Sequence, residues 1–287
     1  MPSSKQLQKF SYRPEIDGLR ALAVIPVLLF HAGLGTPGGF MGVDIFFVIS
    51  GYLITTLIVR DLQRGTFKMR DFWERRIRRI IPAAAAMVIV SLIAIAIILL
   101  PKSFENLGQS ALAQSLMVSN SYFWQQDGYF AGPSDYEALL HTWSLAVEEQ
   151  FYLILPPLLV FLNRKSPKRI ALVLAIIFLA SLIWSFFGPY LYPMASFYLL
   201  PARAWELLLG SLIAILSIKT PAGRFGASFL SLAGLALMVY PMFTHTSTTL
   251  ILADGKSLYR DADHLSIAGS EYLRPLFEPL FQARKKP

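Results

Sequence analysis

The sequence predicts an all-α integral membrane protein, a polytopic bundle of about seven transmembrane helices followed by a short extracytoplasmic tail. Of its 287 residues, 55% are hydrophobic and only 15% are charged, and the mean hydropathy is +0.52; this composition is typical of membrane proteins. Seven apolar segments are each near the length that crosses about 30 Å of hydrocarbon, although the first is short. They are residues 19–35, 43–59, 80–100, 145–162, 170–187, 204–218 and 226–243.

The first segment resembles a signal peptide, because basic residues precede an apolar run. It lacks a small-x-small cleavage site, and further spans follow it. We therefore expect a retained first helix.

The distribution of charge predicts the orientation. Residues 60–79 hold eight basic side chains, whereas the connection 101–140 has one lysine against four acidic residues. The connections after the fourth and sixth segments are basic as well. The positive-inside rule then places the N-terminus and the basic connections in the cytoplasm, and an odd number of spans places the tail outside. The net charge of +8 is thus explained by topology, and nucleic-acid binding is not indicated.

Several kinds of site are not supported. The chain has no cysteine, and its four histidines are too dispersed to show the spacing of metal ligands. Neither a phosphate-binding Gly-x-x-x-x-Gly-Lys loop nor a Gly-x-Ser-x-Gly elbow is present. We expect no metal and no permanently bound cofactor. Internal repeats are not apparent, which weakens a transporter interpretation.

The fourth apolar segment opens with a cluster of polar residues. At helical spacing His141, Ser144, Glu148 and Tyr152 share one face, while Glu149 points about 100° away. Ionisable groups at membrane depth are costly, so such a cluster indicates a functional site. The alternative is an interfacial histidine beside an ion-paired structural glutamate.

A second group surrounds the first connection. His31 follows Arg20 by eleven residues, about 16 Å along a helix, and it precedes the glycine-rich stretch 33–42. Such backbone is tolerated at membrane depth where it lines a wet cavity. Asp44 then begins the second segment, and a carboxylate that orients a histidine is the arrangement that a general base needs. A snorkelling histidine with an unrelated loop aspartate would leave the same pattern.

A third group precedes the third segment. Arg75, Arg78 and Arg79 share a helix face and form a guanidinium cluster suited to phosphate. A basic juxtamembrane loop that touches anionic lipid would look the same.

Together these residues resemble the membrane-bound acyltransferase 3 family, over roughly residues 12–240. The matches, in the order of the family, are YRPEIDGLR at 12–20, the spacing from Arg20 to His31, GVDIFFVISG at 42–51, the Arg75-x-x-Arg78 pair, and HTWSLAVEEQFYL at 141–153. The resemblance implies a bacterial inner-membrane enzyme. It would transfer an acyl group, usually acetyl, from cytoplasmic acyl-CoA to a hydroxyl of an extracytoplasmic glycan such as lipopolysaccharide O-antigen or peptidoglycan.

The same resemblance implies roles for individual residues. His31 would be catalytic, with Arg20 in the same motif; Arg75 and Arg78 would contact the donor phosphates; Glu148 or Glu149 would support the site. We add Asp44 as the partner of His31, Arg20 to the donor side, and His141 and Ser144 to the acceptor side. The orientation places His31 and the glutamates in the outer half of the membrane, opposite the arginines.

The tail departs from the family. Asp261 and His264 look like the final block of an SGNH-type esterase, but no Gly-Asp-Ser nucleophile motif is present. We therefore divide the chain into an acyltransferase membrane domain at 1–243, short of the family's later helices, and a hydrolase remnant at 244–287. An internally deleted, inactive remnant of the enzyme is the main alternative. A transporter of an anionic solute or a purely structural envelope protein is more distant.

Overall fold

The computed structural model describes residues 14–98, 101–126, 138–163, 167–216 and 224–244. Every regular element in these ranges is helical, and the predicted all-α fold is confirmed. The helices are α1 (Pro14–His31), α2 (Gly42–Gln63), α3 (Met69–Ile98), α4 (Pro101–Ser115), α5 (Ser119–Gln126), α6 (Thr142–Asn163), α7 (Pro167–Phe187), α8 (Pro193–Tyr198), α9 (Leu200–Leu216) and α10 (Arg224–Thr244).

Six helical segments of the described chain are long and apolar enough to cross a membrane. They contain or closely match the second to seventh predicted spans: Gly39–Gln63, Met69–Ile97, Thr142–Leu162, Arg169–Tyr190, Pro193–Leu216 and Gly226–Thr244. The first predicted span falls largely on α1, whose first two turns carry Glu15, Asp17 and Arg20. Six of the seven predicted spans are therefore confirmed as apolar helices of sufficient length, and the crossing of the first stays a prediction.

The connection 101–140 holds two helices, α4 and α5, that the hydropathy pattern did not reveal. Polar side chains are fully buried along them, among them Ser110, Gln114 and Asn120. Between the two helices, Met117 adopts a positive φ of 57°, a conformation that is uncommon for a residue with a side chain. Gln114 and Ser115 at the end of α4 line a cavity of about 270 Å³ together with Ile81 and Val88 of α3. The end of α4 therefore lies beside the middle of α3.

The chain forms two compact units. The described part of the first consists of α1, the 3₁₀ turn Gly39–Met41 and α10. Here Gly39 and Gly42 pack against the backbone of α1, where a Cβ would overlap the carbonyl oxygens of Pro26 and Ala23. These two glycines of the stretch 33–42 permit close packing against α1, because only a residue without a Cβ fits there. The wet cavity expected along the stretch stays a prediction.

The second unit comprises Asp44–Thr220 and contains most of α2 together with α3 to α9. Helices α2 and α9 cross in backbone contact at Gly51 and Gly210. Next to the crossing, the hydroxyl of Thr55 donates a 2.7 Å hydrogen bond to that of Ser211. Small residues at a crossing are the usual means of close approach between membrane helices.

Candidate functional site

Polar groups of the second unit lie at successive positions along helix α2, so their separation is measured along this helix. Asp44 in its first turn pairs with Arg203, Ser50 near its middle is buried, and Asp61 near its end pairs with Arg60 and Arg75. From Asp44 to Asp61 the helix extends about 26 Å at 1.5 Å per residue. Polar clusters thus follow one another along a helix whose apolar length is sufficient to cross a membrane.

The predicted arginines lie at the Asp61 end. Arg75 Nη2 is 3.9 Å from Asp61 Oδ2, and Arg78 Nη2 is 2.7 Å from Glu74 Oε1. The side chain of Arg78 is 78% exposed, so it is accessible to an anionic ligand. Exposed ion pairs of this kind contribute little to stability, which leaves both guanidinium groups available for exchange.

Arg76 is the residue of this cluster that the sequence analysis missed. It is half-buried, and its charge interacts with that of Glu149 of α6. The sequence did contain a signal for Arg76, because it follows the aromatic residue Phe72 by four positions and so shares its helix face. Phe72 is only 1% exposed, so this face of the helix is the packed one.

Glu149 interacts electrostatically with Arg76, whereas the sequence analysis placed the glutamates opposite the arginines; the position of Glu149 relative to Arg75 and Arg78 stays a prediction. Trp73 Nε1 donates a 3.4 Å hydrogen bond to the carbonyl oxygen of Tyr152, which fixes the start of α3 against α6. The cause is the length of α3: it begins at Met69, eleven residues before the predicted span, so the arginines belong to the spanning helix itself. Within the described residues Glu149 Oε1 is buried and accepts no hydrogen bond.

The polar face of α6 is only partly as predicted. Glu148 and Tyr152 are buried, at 6% and 5% exposure, one helical turn apart. Ser144 lies a turn earlier and its hydroxyl donates to the carbonyl oxygen of His141 at 3.2 Å. His141 itself precedes the helix, which starts at Thr142, and its side chain is exposed. The structure therefore brings Ser144, Glu148 and Tyr152 onto one face and leaves His141 at the helix entrance.

At the other end of α2 lies a charged cluster that includes two residues the sequence analysis missed. Arg203 Nη1 is 3.1 Å from Asp44 Oδ1 and 3.1 Å from Glu206 Oε1. The guanidinium also lies over the rings of Trp143 and Phe197, at 5.4 and 5.1 Å from their centroids. Arg203 was overlooked because the predicted span began at residue 204. Glu206, a carboxylate inside an apolar segment, was a signal in its own right.

In the first unit, Arg20 and His31 lie on one face of α1, since eleven residues make about three turns. His31 is exposed, and its Nδ1 is 2.8 Å from the carbonyl oxygen of Val27. A carbonyl oxygen only accepts, so Nδ1 carries the proton; in the neutral ring the lone pair is on Nε2. The ring is thus held at Nδ1 by its own helix. Asp44 belongs to the other unit, and its predicted pairing with His31 stays a prediction.

Two further predictions concern metals and the tail. Among the described residues no group of three or more His, Asp or Glu side chains is arranged to hold a metal ion. Asp261 and His264 lie outside the described residues.

Charged and hydrogen-bonding side chains inside an apolar helical frame define a polytopic membrane protein with an internal polar site, a class that includes membrane-bound enzymes. The acyltransferase-domain family matches residues 13–267 of the chain. The chain therefore belongs to this acyltransferase-domain family. The match includes Asp261 and His264, and their assignment to a hydrolase remnant stays a prediction.

Two relatives illustrate the similarity. The chain is 38% identical over 245 residues to the peptidoglycan O-acetyltransferase OatA of Listeria monocytogenes, covering 81% of this chain and 39% of that protein. It is 40% identical over 184 residues to the O-acetyltransferase OatA of Staphylococcus aureus strain NCTC 8325, covering 62% and 30% respectively. The chain thus spans less than half the length of these relatives. No solved structure matches it.

Proposed function

We propose that this protein is a membrane O-acetyltransferase that moves an acetyl group from acetyl-CoA at the cytoplasmic face to a hydroxyl of an extracytoplasmic glycan, with peptidoglycan as the acceptor. The observation that carries the proposal is the series of polar clusters along α2, with guanidinium groups at one end and two carboxyl groups bridged by one guanidinium at the other. The names of both relatives support the acetyl group, and the name of the Listeria protein supports peptidoglycan as the acceptor.

The arginine end suits the donor. Arg75 and Arg78 are exposed or half-exposed, and their guanidinium groups match the geometry of phosphate oxygens. Arg76 reaches further inward, toward Glu149. A donor whose phosphates rest on the exposed arginines would direct its thioester toward the interior of the helical frame.

His31 suits the role of general base. Because its Nδ1 proton is held by Val27, Nε2 is the atom that takes the proton of the acceptor hydroxyl. As the hydroxyl O–H bond breaks, the oxygen forms a bond to the acyl carbon and the thioester C–S bond breaks. The proton then passes to the leaving thiolate, so the products are the O-acetyl ester and free CoA.

The remaining predicted residues supply the surroundings of this reaction. Glu148 and Glu149 add two carboxyl groups on α6, of which Glu148 is buried and Glu149 interacts with Arg76. Arg20, on the same face of α1 as His31, would serve the donor side, and His141 and Ser144 would serve the acceptor side at the entrance of α6.

The test is mass analysis of peptidoglycan from cells that lack their own O-acetyltransferase and express the chain. We expect O-acetyl groups with the wild type and none with His31→Ala at equal membrane abundance. Gly108→Ala serves as a matched control, because a Cβ at Gly108 meets no atom within 4 Å. Equal acetylation by His31→Ala would refute the assignment. A wild type that reaches the membrane yet adds no acetyl groups would favour the alternative of an inactive remnant.

A further inference from the structure

Arg203 lies between two carboxyl groups, those of Asp44 and Glu206, and the three side chains differ in their exposure to solvent. The side chain of Asp44 is 36% exposed, that of Arg203 17% and that of Glu206 1%. A single nitrogen, Nη1, bridges both carboxylates at 3.1 Å, and Nε donates to the carbonyl oxygen of Phe197 at 3.0 Å. Asp44 is therefore the only carboxylate of the three-residue cluster that a ligand reaches directly.

The aromatic rings hold the guanidinium in place. Trp143 at the start of α6 and Phe197 of α8 lie within cation–π distance of Arg203, which itself is in the first turns of α9. Asp44 is in the first turn of α2. Four helices thus meet at one arginine, and a group fixed from several rigid elements is pre-organised to present Asp44 in one position.

The composition of the cluster indicates what it binds. Two carboxyl groups share one guanidinium nitrogen, so Arg203 is already engaged and is not available to hold a phosphate. The described residues also leave Glu206 Oε2 buried without a hydrogen-bond donor. A surplus of acceptor atoms at a partly exposed carboxylate suits a ligand that donates hydrogen bonds and carries no negative charge there, as a sugar hydroxyl does.

We infer that Asp44, Arg203 and Glu206 form the hydroxyl-binding site for the glycan acceptor, with Asp44 accepting a hydrogen bond from a sugar hydroxyl and Arg203 and Glu206 acting as positioning residues. This rests on the proposed function, since it assigns the acceptor of that reaction. It places the acceptor about 26 Å along α2 from the Asp61–Arg75 pair.

The test measures steady-state transfer by the purified chain in detergent, with acetyl-CoA and a soluble peptidoglycan fragment. We expect Arg203→Lys and Glu206→Gln each to raise the KM for the fragment roughly tenfold or more, the cost of disturbing one charge-assisted hydrogen bond. The KM for acetyl-CoA should change less than about twofold, since phosphates are held at the other end. Glu105→Gln, which removes an exposed carboxylate on α4, is the matched control.

Equal changes in both KM values, in proportion to a loss of thermal stability, would show a merely structural cluster and overturn the inference. If the wild type shows no transfer, the proposed function fails. The inference about the hydroxyl-binding site is then tested separately, by the binding of the peptidoglycan fragment. The dissociation constant of the fragment is then compared between the wild type and Asp44→Asn. Weaker binding by the variant supports the site, and equal binding overturns it.

Discussion

Gly51 of α2 lies so close to Leu207 of α9 that a Cβ at Gly51 would overlap the carbonyl oxygen of Leu207. Gly210 has the same relation to the carbonyl oxygen of Val48. The two glycines therefore set the spacing of the helices that carry Asp44 and Arg203. Any increase in this spacing acts directly on the charged cluster at their first turns.

Gly51→Ala should destabilise the protein, because the new methyl group meets backbone that cannot rotate away. Overpacking typically costs about 1–3 kcal/mol, and more where the backbone has to shift. Thermal unfolding in detergent measures the effect. Gly108→Ala is the control, since that helical position is open and alanine favours a helix over glycine by about 1 kcal/mol. A Gly51→Ala protein as stable as Gly108→Ala would contradict the observed crossing.

Arg76→Ala should lower stability, whereas Arg78→Ala should not. Arg76 is half-buried and its charge acts on Glu149, so its removal leaves a carboxylate within the helical frame without that cation. We expect a loss of about 1–2 kcal/mol, less than for a fully buried pair because Arg76 is partly solvated. Arg78 is 78% exposed, and its replacement should leave the unfolding temperature unchanged.

The double variant Arg76→Gln/Glu149→Gln discriminates between a charge effect and a packing effect. If the charge matters, removing both charges recovers part of the stability that Arg76→Gln alone loses. Losses that simply add would show that the two side chains do not interact.

The apolar spans could be predicted from the sequence, whereas helices α4 and α5 could not. The second to seventh spans are predominantly apolar, and length with hydropathy was sufficient to find them. Helices α4 and α5 mix buried apolar residues such as Leu107 with buried polar ones such as Asn120, so their average hydropathy resembles that of a loop. Only tertiary hydrogen bonds make burial of those polar groups possible, and a hydropathy window does not contain that information.

For the candidate site, individual charged residues could be predicted from the sequence, but their partners could not. The predicted residues of α6 and the arginines were visible as charges in or beside apolar segments. The ion pair of Asp44 with Arg203, and the electrostatic interaction of Glu149 with Arg76, depend on which helices are in contact. Residues 44 and 203 are 159 positions apart, and no local pattern connects them.

His31→Gln should reduce acetyl transfer nearly as much as His31→Ala, by a factor of about 10² or more. Glutamine can still donate a hydrogen bond toward Val27, but its side chain has no basic nitrogen. Because His31 is exposed, neither variant should lose stability or membrane abundance. O-acetyl groups per glycan unit measure the activity, and immunodetection of the membrane fraction measures abundance. Substantial transfer by His31→Gln would mean that orientation, and not proton transfer, is the contribution of this residue.

Asn120→Leu should be strongly destabilising, because Asn120 joins three elements through one amide. Its Nδ2 donates to Gln150 Oε1 and to the carbonyl oxygen of Tyr198, each at 3.2 Å, and its Oδ1 accepts from Gln150 Nε2 at 2.8 Å. Gln150 in turn donates to the carbonyl oxygen of Met117, at the break between α4 and α5. Leucine would deprive Gln150 and Tyr198 of partners in a buried place, and each group left unsatisfied costs about 1–3 kcal/mol.

The double variant Asn120→Leu/Gln150→Leu tests whether this cost comes from the unpaired amide. Replacing both members removes most of the buried polar atoms that the single variant strands, so the second substitution should add little destabilisation. The unfolding temperatures of the two single variants and the double variant in detergent give the coupling directly. Additive losses would show that Asn120 and Gln150 are held independently. In that case the conformation at Met117 would depend on the packing of α4 and α5, and the amide pair would be a consequence of that packing.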